Sequence, residues 1–244
     1  MLRFLLLLSL LVPSIALAND SMSIMTVTDA SGTQNYSVNI KILALMTMLM
    51  ALPALLMVMS PFTRIIIVLA LLRQALGTQQ TPSNQILLGL ALILTFFVMT
   101  PVIEKIERQA WQPLQAEQIS DTEAFTLALE PVREFMLSQV YVEDIETFAS
   151  FLEKDITLKD GEQIPFSILM PAFLTSELKI GFVTGLMIFI PFLIIDLLVA
   201  SILMGLGMMM MPPAMVSLPL KLLVFIAIDG WTLISDTLVR GFIT

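Results

Sequence analysis

The chain has 244 residues, a net charge of −8, 57% apolar residues and only 13% charged residues. Soluble domains contain about 25% charged residues, so one core of this size could not hide so much apolar sequence from water. The acidic balance argues against nucleic-acid binding. The absence of histidine and cysteine excludes zinc sites built on these ligands, cysteine nucleophiles, Ser-His-Asp triads and disulfides. Composition therefore predicts a membrane protein.

Residues 1–18 have the pattern of a secretory signal peptide. Arg3 precedes an apolar stretch, and Ala16 and Ala18 form a small-residue cleavage site. We expect cleavage after Ala18, so that the mature chain begins at Asn19 and residues 19–39 form an extracytoplasmic N-terminal segment. The alternative is an uncleaved signal anchor, for which the apolar stretch is short compared with a span of about 20 residues.

The charges divide the rest of the chain into three regions. Residues 104–162 hold 14 of the 20 acidic side chains and form an acidic segment. The flanking regions, residues 40–103 and 163–244, contain two hydrophobic segments each, at 42–63, 86–103, 180–203 and 222–243. These segments predict four membrane spans in two helical hairpin regions. The positive-inside rule places Arg64 and Arg73 on the cytoplasmic side and the acidic segment outside.

A turn between two helices is predicted in the first region. Residues 64–76 have a helical pattern that ends at Gly77, a residue suited to the left-handed conformation that closes helices. Thr81 followed by Pro82 then predicts the start of the next helix, with threonine as the N-cap and proline in the first turn.

The acidic segment is also predicted to be helical. Ser120 and Glu123 have the spacing of a capping box at a helix start. Asp160-Gly161 predicts the turn at which the chain leaves the segment. One amphipathic helix is predicted from apolar residues at positions i, i+3, i+4 and i+7, namely Ile145, Phe148, Ala149 and Leu152.

Several ionisable residues lie in or beside the hydrophobic segments, where an unpaired charge at mid-helix costs about 2.5 to 3.5 kcal/mol. They are Glu177, Asp196, Lys221, Asp229, Asp236 and Arg240. We expect Glu177 and Lys221 to pair with each other or with equivalent residues of neighbouring subunits. Asp236 and Arg240 are four residues apart and are expected to pair on one helical face, which Asp229 shares. Asp196 and Asp229 could also form an aspartyl protease dyad, although the glycine-rich motif of such enzymes is absent.

Small residues indicate close helix packing in the last region. Gly181 with Gly185, and Ser201 with Gly205, have the small-xxx-small spacing that lets helix backbones approach. This spacing serves packing within one chain or packing between subunits, and the sequence leaves both open.

Four consecutive methionines, Met208 to Met211, lie between Gly207 and Pro212. Methionine is unbranched and polarizable, so a ring of such loops from several subunits would form an apolar, deformable constriction. The alternative is a lipid-facing or core cluster in a chain that contains 18 methionines.

Longer motifs resemble the FliP family of flagellar type III secretion export-gate proteins. The resemblance covers residues 40–243, which is nearly the whole mature chain. The matching stretches are residues 60–69 (SPFTRIIIVL), 72–80 (LRQALGTQQ), 131–136 (PVREFM), 171–173 with 176–179 (PAF and SELK), 190–213, Lys221 and 229–231 (DGW).

The resemblance implies an all-α integral membrane protein without enzymatic activity, cofactor or metal, whose helical hairpins assemble into a homo-pentameric, helically arranged pore. Such a pore would be the core of the flagellar protein export gate in the basal body and would pass unfolded substrates across the bacterial inner membrane. The implied partners are FliQ, FliR, FlhB and, during assembly, FliO. The family match favours the methionine loop as a pore gasket.

Two alternatives follow from the residues themselves. An ion channel or small-solute transporter is the second functional class, although the internal repeats typical of transporters are not detectable. The hydrophobic segments could also be apolar because sister subunits bury them rather than lipid.

Overall fold

The computed structural model describes residues 43, 46, 47, 49–51, 53, 54, 57–78, 80–152, 164–208 and 211–243. The chain forms two units, Met1–Leu49 and Met50–Thr244, and the second contains all the elements given below. The predicted signal peptide, the cleavage site, the segment 19–39 and the Asp160-Gly161 turn lie outside the described residues.

The described residues form helices joined by turns, in agreement with the all-α prediction. The elements are α1 (Phe62–Ala75), α2 (Asn84–Ile106), a π-helical turn (Glu107–Trp111), α3 (Gln112–Gln115), α4 (Asp121–Gln139), α5 (Val142–Ser150), α6 (Phe166–Gly205), α7 (Pro213–Ala227) and α8 (Gly230–Ile243). The acidic segment contributes α3, α4 and α5, so it is helical where it is described.

The turn between α1 and α2 confirms one boundary prediction and corrects another. Gly77 has a φ of +77° and closes α1, as its position predicted. The next helix begins at Asn84, with Ser83 at the N-cap position, and not at Pro82. The guanidinium of Arg73 binds the Pro82 carbonyl at 3.3 Å and Asn84 Oδ1 at 2.5 Å, which holds Pro82 in the turn.

The acidic segment follows its predicted pattern with one exception. Ser120 is the N-cap of α4, and its hydroxyl accepts the Glu123 N–H at 3.3 Å. In α5, Ile145 and Ala149 are buried. Leu152 lies beyond the end of this helix and is exposed, because α5 ends at Ser150 and the chain then turns away.

The core forms between α1 and α6. Apolar residues recur along α1 at helical spacing, and all of them are almost completely buried: Ile65, Val68, Leu69 and Leu72. They pack with buried residues in the first turns of α6, Ile168, Leu169, Ala172 and Phe173. Burial of one such side chain contributes about 1.5 to 3 kcal/mol, so this helix pair is the main apolar contribution to the fold.

Within the part of the chain that the structure describes, two helices are long and apolar enough to cross a membrane: the helical run Asn84–Gln115, which starts as α2, and α6. They contain the predicted spans 86–103 and 180–203. Helices α7 and α8 are bent by 64° relative to each other. Together they are a third candidate only if the two helices form one broken span. The predicted span 222–243 is divided between α7 and α8, because Asp229 has a φ of +49° and bends the chain. The predicted span 42–63 lies partly outside the described residues.

At Gly185, α6 packs tightly against α1. A Cβ atom there would lie 2.2 Å from Leu71 Cδ1 and 3.0 Å from Leu71 Cβ. The tip of Leu71 can rotate away, but its Cβ is fixed to the backbone of α1, so the two helices would have to separate. Gly185→Ala is expected to lower the free energy of unfolding by about 1 to 3 kcal/mol, measured by denaturant titration in detergent.

Gly89→Ala is the matched control for this substitution. Gly89 also lies inside a helix, but an added Cβ would meet no atom within 4 Å. We expect this variant to be neutral or slightly more stable, because alanine has the higher helix propensity. Equal unfolding midpoints for the two variants would contradict the close packing of α1 on α6.

Candidate functional site

A buried ion pair connects α1 to α6. The Arg64 guanidinium binds both oxygens of Glu177, with Nε donating to Oε2 at 3.0 Å and Nη2 donating to Oε1. The two side chains are 5% and 0% exposed. A buried charge without a partner is strongly unfavourable, so each member of this pair depends on the other.

The remaining N–H groups of Arg64 bind two further helices, α4 and α8. Nη2 also donates to Gln139 Oε1 of α4, and Nη1 donates to the Gly241 carbonyl of α8, both at 3.2 Å. The guanidinium lies 3.9 Å from the centre of the Phe242 ring. The last carbonyls of a helix lack intrahelical partners and carry partial negative charge, which favours a cation there. Arg64 therefore fastens α1, α4, α6 and α8 together.

This geometry corrects the expected pairing of Glu177 with Lys221. Within the chain, Glu177 binds Arg64 and Lys221 binds Asp196. Sequence reasoning missed this role of Arg64 because the positive-inside rule assigned the residue to the cytoplasmic side. The available signal was the apolar run 65–69 that follows it, since an arginine within such a run is buried with a partner or lies at a membrane boundary. Pairing across subunits stays a prediction.

A second polar cluster joins α5 to α6. The Ser176 hydroxyl donates to Asp144 Oδ2 at 2.7 Å, and Lys179 Nζ donates to Asp144 Oδ1. The backbone N–H of Tyr141 donates to Ser176 Oγ at 3.0 Å. Sequence reasoning missed this cluster as well, although Asp144 precedes Ile145 on the buried side of an amphipathic helix.

The Asp144 carboxyl is electrostatically favoured in its ionised form. Burial raises its pKa, but the hydrogen bonds from Lys179 and Ser176, together with the Lys179 charge, lower it further than burial raises it. The pKa of Asp144 therefore lies below its usual value of 3.8. The ionised form consequently stabilises the folded chain.

A third polar cluster, which we call the hairpin cluster, consists of Asp196 on α6 with Ser217 and Lys221 on α7. Lys221 Nζ lies 2.5 Å from Asp196 Oδ2, and the Ser217 hydroxyl donates to Asp196 Oδ1 at 2.6 Å. Lys221 also donates to the Ala75 carbonyl in the last turn of α1 at 2.9 Å. The Lys221 side chain is 5% exposed, and that of Asp196 is 40% exposed.

The methionine loop follows directly from the end of α6. The N–H of Met208 donates to the Leu203 carbonyl and the N–H of Gly207 to the Met204 carbonyl, each at 3.0 Å, and Gly207 has a φ of +76°. These bonds form a Schellman motif, which needs a residue such as glycine in the left-handed conformation. Met208 and Met211 are 42% and 41% exposed. Met209 and Met210 lie outside the described residues.

The remaining predicted residues are distributed over the surface and the core. Arg240 Nε donates to both carboxylate oxygens of Asp236 at 2.7 and 2.8 Å, which is the expected pair. Asp229 does not share their helix, because it precedes α8 at the bend. Gly181 and Gly185 face α1, which supports packing within the chain.

The other small-residue pair lies away from this contact. Ser201 is exposed and donates to the Leu197 carbonyl at 2.8 Å. A Cβ on Gly205 would meet no atom within 4 Å. Ser201 and Gly205 therefore lie on open surface of the single chain.

The outer faces of α2 and α6 are apolar and exposed in the single chain. Exposed side chains on α6 include Leu186, Met187, Leu197, Leu198, Ile202 and Met204, and those on α2 include Ile86, Leu92, Ile93 and Phe97. Contiguous apolar surface of this extent marks an interface with protein or lipid. Among the described residues, no group of three or more acidic side chains is arranged to hold a metal ion.

Loss of the Glu177 charge is expected to unfold the helix assembly around Arg64. Glu177→Gln keeps the size of the side chain but leaves a buried guanidinium without a counter-charge, which costs about 3 to 5 kcal/mol. Denaturant or thermal unfolding in detergent measures this loss.

Glu134→Gln is the matched control, because Glu134 pairs with Lys105 at 2.8 Å on the surface, with side chains 68% and 44% exposed. Exposed pairs contribute about 0 to 1 kcal/mol. Similar losses in the two variants would contradict a structural role for the buried pair.

The contact between α5 and α6 is expected to weaken in acid. Because the folded pKa of Asp144 lies below the unfolded one, its stabilisation is complete above the unfolded value and is lost as pH falls through the folded value. The hydrogen-exchange protection factors of the α5 amides should therefore fall as the pH drops below about 4. Asp144→Asn should remove on the order of 1 kcal/mol at neutral pH and reduce this pH dependence. An unchanged pH dependence in the variant would contradict the assignment.

Comparison with known proteins identifies the family of this chain. The FliP family model matches residues 45–238. The flagellar biosynthetic protein FliP of Pectobacterium carotovorum is 50% identical over 87% of this chain and 82% of its own length. The FliP proteins of Bacillus subtilis and Aquifex aeolicus are 47% and 43% identical, over 87% and 86% of this chain and 96% and 89% of their own lengths. The chain belongs to the FliP family.

Proposed function

We propose that this chain is the pore-forming core subunit of the flagellar type III protein export gate. Its relatives are flagellar biosynthetic proteins, and they match it over most of its length. The observation that carries the proposal is the apolar outer surface of α2 and α6, combined with ionisable groups that are satisfied on the inner side. A subunit built in this way can be surrounded by other apolar helices without leaving a charge unpaired at the interface.

The proposed assembly is a helically arranged homo-pentamer. Copies of the chain would cover the exposed faces of α2 and α6, together with FliQ and FliR, while FlhB would associate with the gate and FliO would assist assembly. In a helical arrangement the same pair of surfaces meets between successive copies, so each such contact covers apolar area on both subunits. The assembly would lie at the bacterial inner membrane in the flagellar basal body.

The methionine loops would form the constriction of this pore. An export pore wide enough for an unfolded chain must exclude water and ions at rest. Thioether side chains provide apolar bulk and bend easily, so they can close around a passing chain and re-form the seal afterwards. The exposure of Met208 and Met211 in the single chain is consistent with side chains available to neighbouring subunits.

The alternatives receive less support. Asp196 binds Lys221 and Ser217, and Asp229 lies at a bend, an arrangement that offers no pair of carboxylates for an aspartyl protease. A transporter would require a polar substrate site between its helices. The described ionisable groups of α6 are engaged with α1, α5 and α7 instead.

Shortening the methionine side chains tests the gasket. Simultaneous replacement of Met209, Met210 and Met211 by alanine should raise the resting permeability of the complete gate to small ions, because apolar bulk is removed from the constriction. Membrane depolarisation in cells that express the complete gate measures this leak. Assembly, followed by the mass of the purified complex, should be retained.

Replacement of the same three residues by leucine is the control. Leucine keeps the apolar bulk, so we expect this variant to stay closed to ions while it passes substrates less readily, because branched side chains adapt less well. An assembled alanine variant that is as ion-tight as the parent would remove the gasket from the proposed function.

A further inference from the structure

The hairpin cluster lies near the base of the methionine loop. Asp196 is nine residues before Gly205, the last residue of α6, and Ser217 is four residues after Pro213, the first residue of α7. At 1.5 Å per residue these intervals are about 13 Å and 6 Å along the helix axes. The cluster therefore joins the two helices that carry the loop, within a few turns of it.

The described residues at the α6 end of the loop, residues 205–208, have little packing that could fix their position. A Cβ atom on Gly205 or Gly207 would meet no atom within 4 Å, and Leu206 is largely exposed. Schellman bonds fix the local shape of the loop, but they bind it only to the end of α6. The direction in which this end of the loop leaves α6 must then depend on how α6 and α7 are held together.

The hairpin cluster supplies directional contacts at that place. Phe192 and Phe225 also lie between these helices, with ring centres 6.4 Å apart, but aromatic packing tolerates sliding more than a hydrogen bond does. Asp196 accepts from two residues of α7 through its two oxygens, which sets both the rotation and the register of α7 on α6. Lys221 also donates to the carbonyl of Ala75, which connects α7 to the end of α1.

We propose that Asp196, with Ser217 and Lys221, is the positioning group of the methionine loop. The cluster holds α6 and α7 in one register, so the loops of neighbouring subunits meet at the same height and close the pore. Weakening the cluster lets the loops spread, and the closed gate then leaks without any change to the methionines. This inference rests on the proposed function, because it assigns the group that controls the proposed gasket.

The test measures loop position in the assembled gate. The chain has no cysteine, so Leu206→Cys introduces a single site for a spin label beside the loop, in a complex whose other subunits also lack cysteine. Distances between labels on neighbouring copies are measured by pulsed electron paramagnetic resonance, and resting ion leak is measured on the same complexes. Asp196→Asn and Ser217→Ala are compared with Glu134→Gln, which removes the charge from a surface ion pair remote in sequence from the loop.

We expect Asp196→Asn to broaden and lengthen the distances and to raise the resting leak about fivefold, which corresponds to about 1 kcal/mol. Ser217→Ala should shift both readouts in the same direction by less, because it keeps the ion pair. Glu134→Gln should change neither. If the Asp196→Asn variant fails to assemble, the Ser217→Ala variant alone tests the inference.

Unchanged distances in the assembled variants would overturn the inference, and so would a leak that rises without a change in distance. The alanine triple variant separates this failure from failure of the proposed function. If that variant leaks while both cluster variants keep the parent's distances and leak, only the positioning role is lost. If the triple variant is as ion-tight as the parent, the proposed role of the methionines as a gasket is contradicted.

Discussion

The ion pair of Arg64 and Glu177 is the constraint on which the fold depends. A guanidinium with five N–H donors has been taken out of water, so every helix around it must present an acceptor or an aromatic face at a defined position. Glu177, Gln139, the Gly241 carbonyl and the Phe242 ring meet this demand. The approach of α6 to α1 that allows it depends on Gly181 and Gly185, about one and two turns further along α6. A side chain larger than glycine at position 185 would push the helices apart.

The polar groups of α6 face inward, and much of the apolar surface of α2 and α6 faces outward, which differs from the usual pattern of a soluble domain. The three polar clusters each satisfy a charge in α6 with residues of α1, α5 or α7. Because these charges are neutralised before any partner arrives, assembly does not have to bring buried charges together across subunits. The single chain can therefore reach its fold first and bury its apolar faces afterwards, in lipid or against other subunits.

Local features of this fold were predictable, and long-range pairings were not. Gly77 and Ser120, and the pair of Asp236 with Arg240, depend only on residues within a few positions, which the sequence displays directly. The partner of Glu177 is 113 residues away, and no periodicity encodes that distance. The bend at Asp229 was missed because hydropathy averages over 222–243, whereas a single left-handed residue divides the helix. The charge-poor stretches did identify α2 and α6 as candidate spans, since length and apolarity alone decide that property.

Directional contacts and adaptable contacts are separated along the α6–α7 hairpin. Near its base, Asp196, Ser217 and Lys221 require particular distances and angles, and Lys221 reaches the carbonyl end of α1 as well. At its tip, the glycines and methionines impose few such requirements. A closure that must re-form after each passage needs both properties, because a soft surface adapts to many sequences only if its anchors return it to the same place. In the proposed gate, the polar residues of the hairpin would therefore contribute to the closure as much as the methionines would.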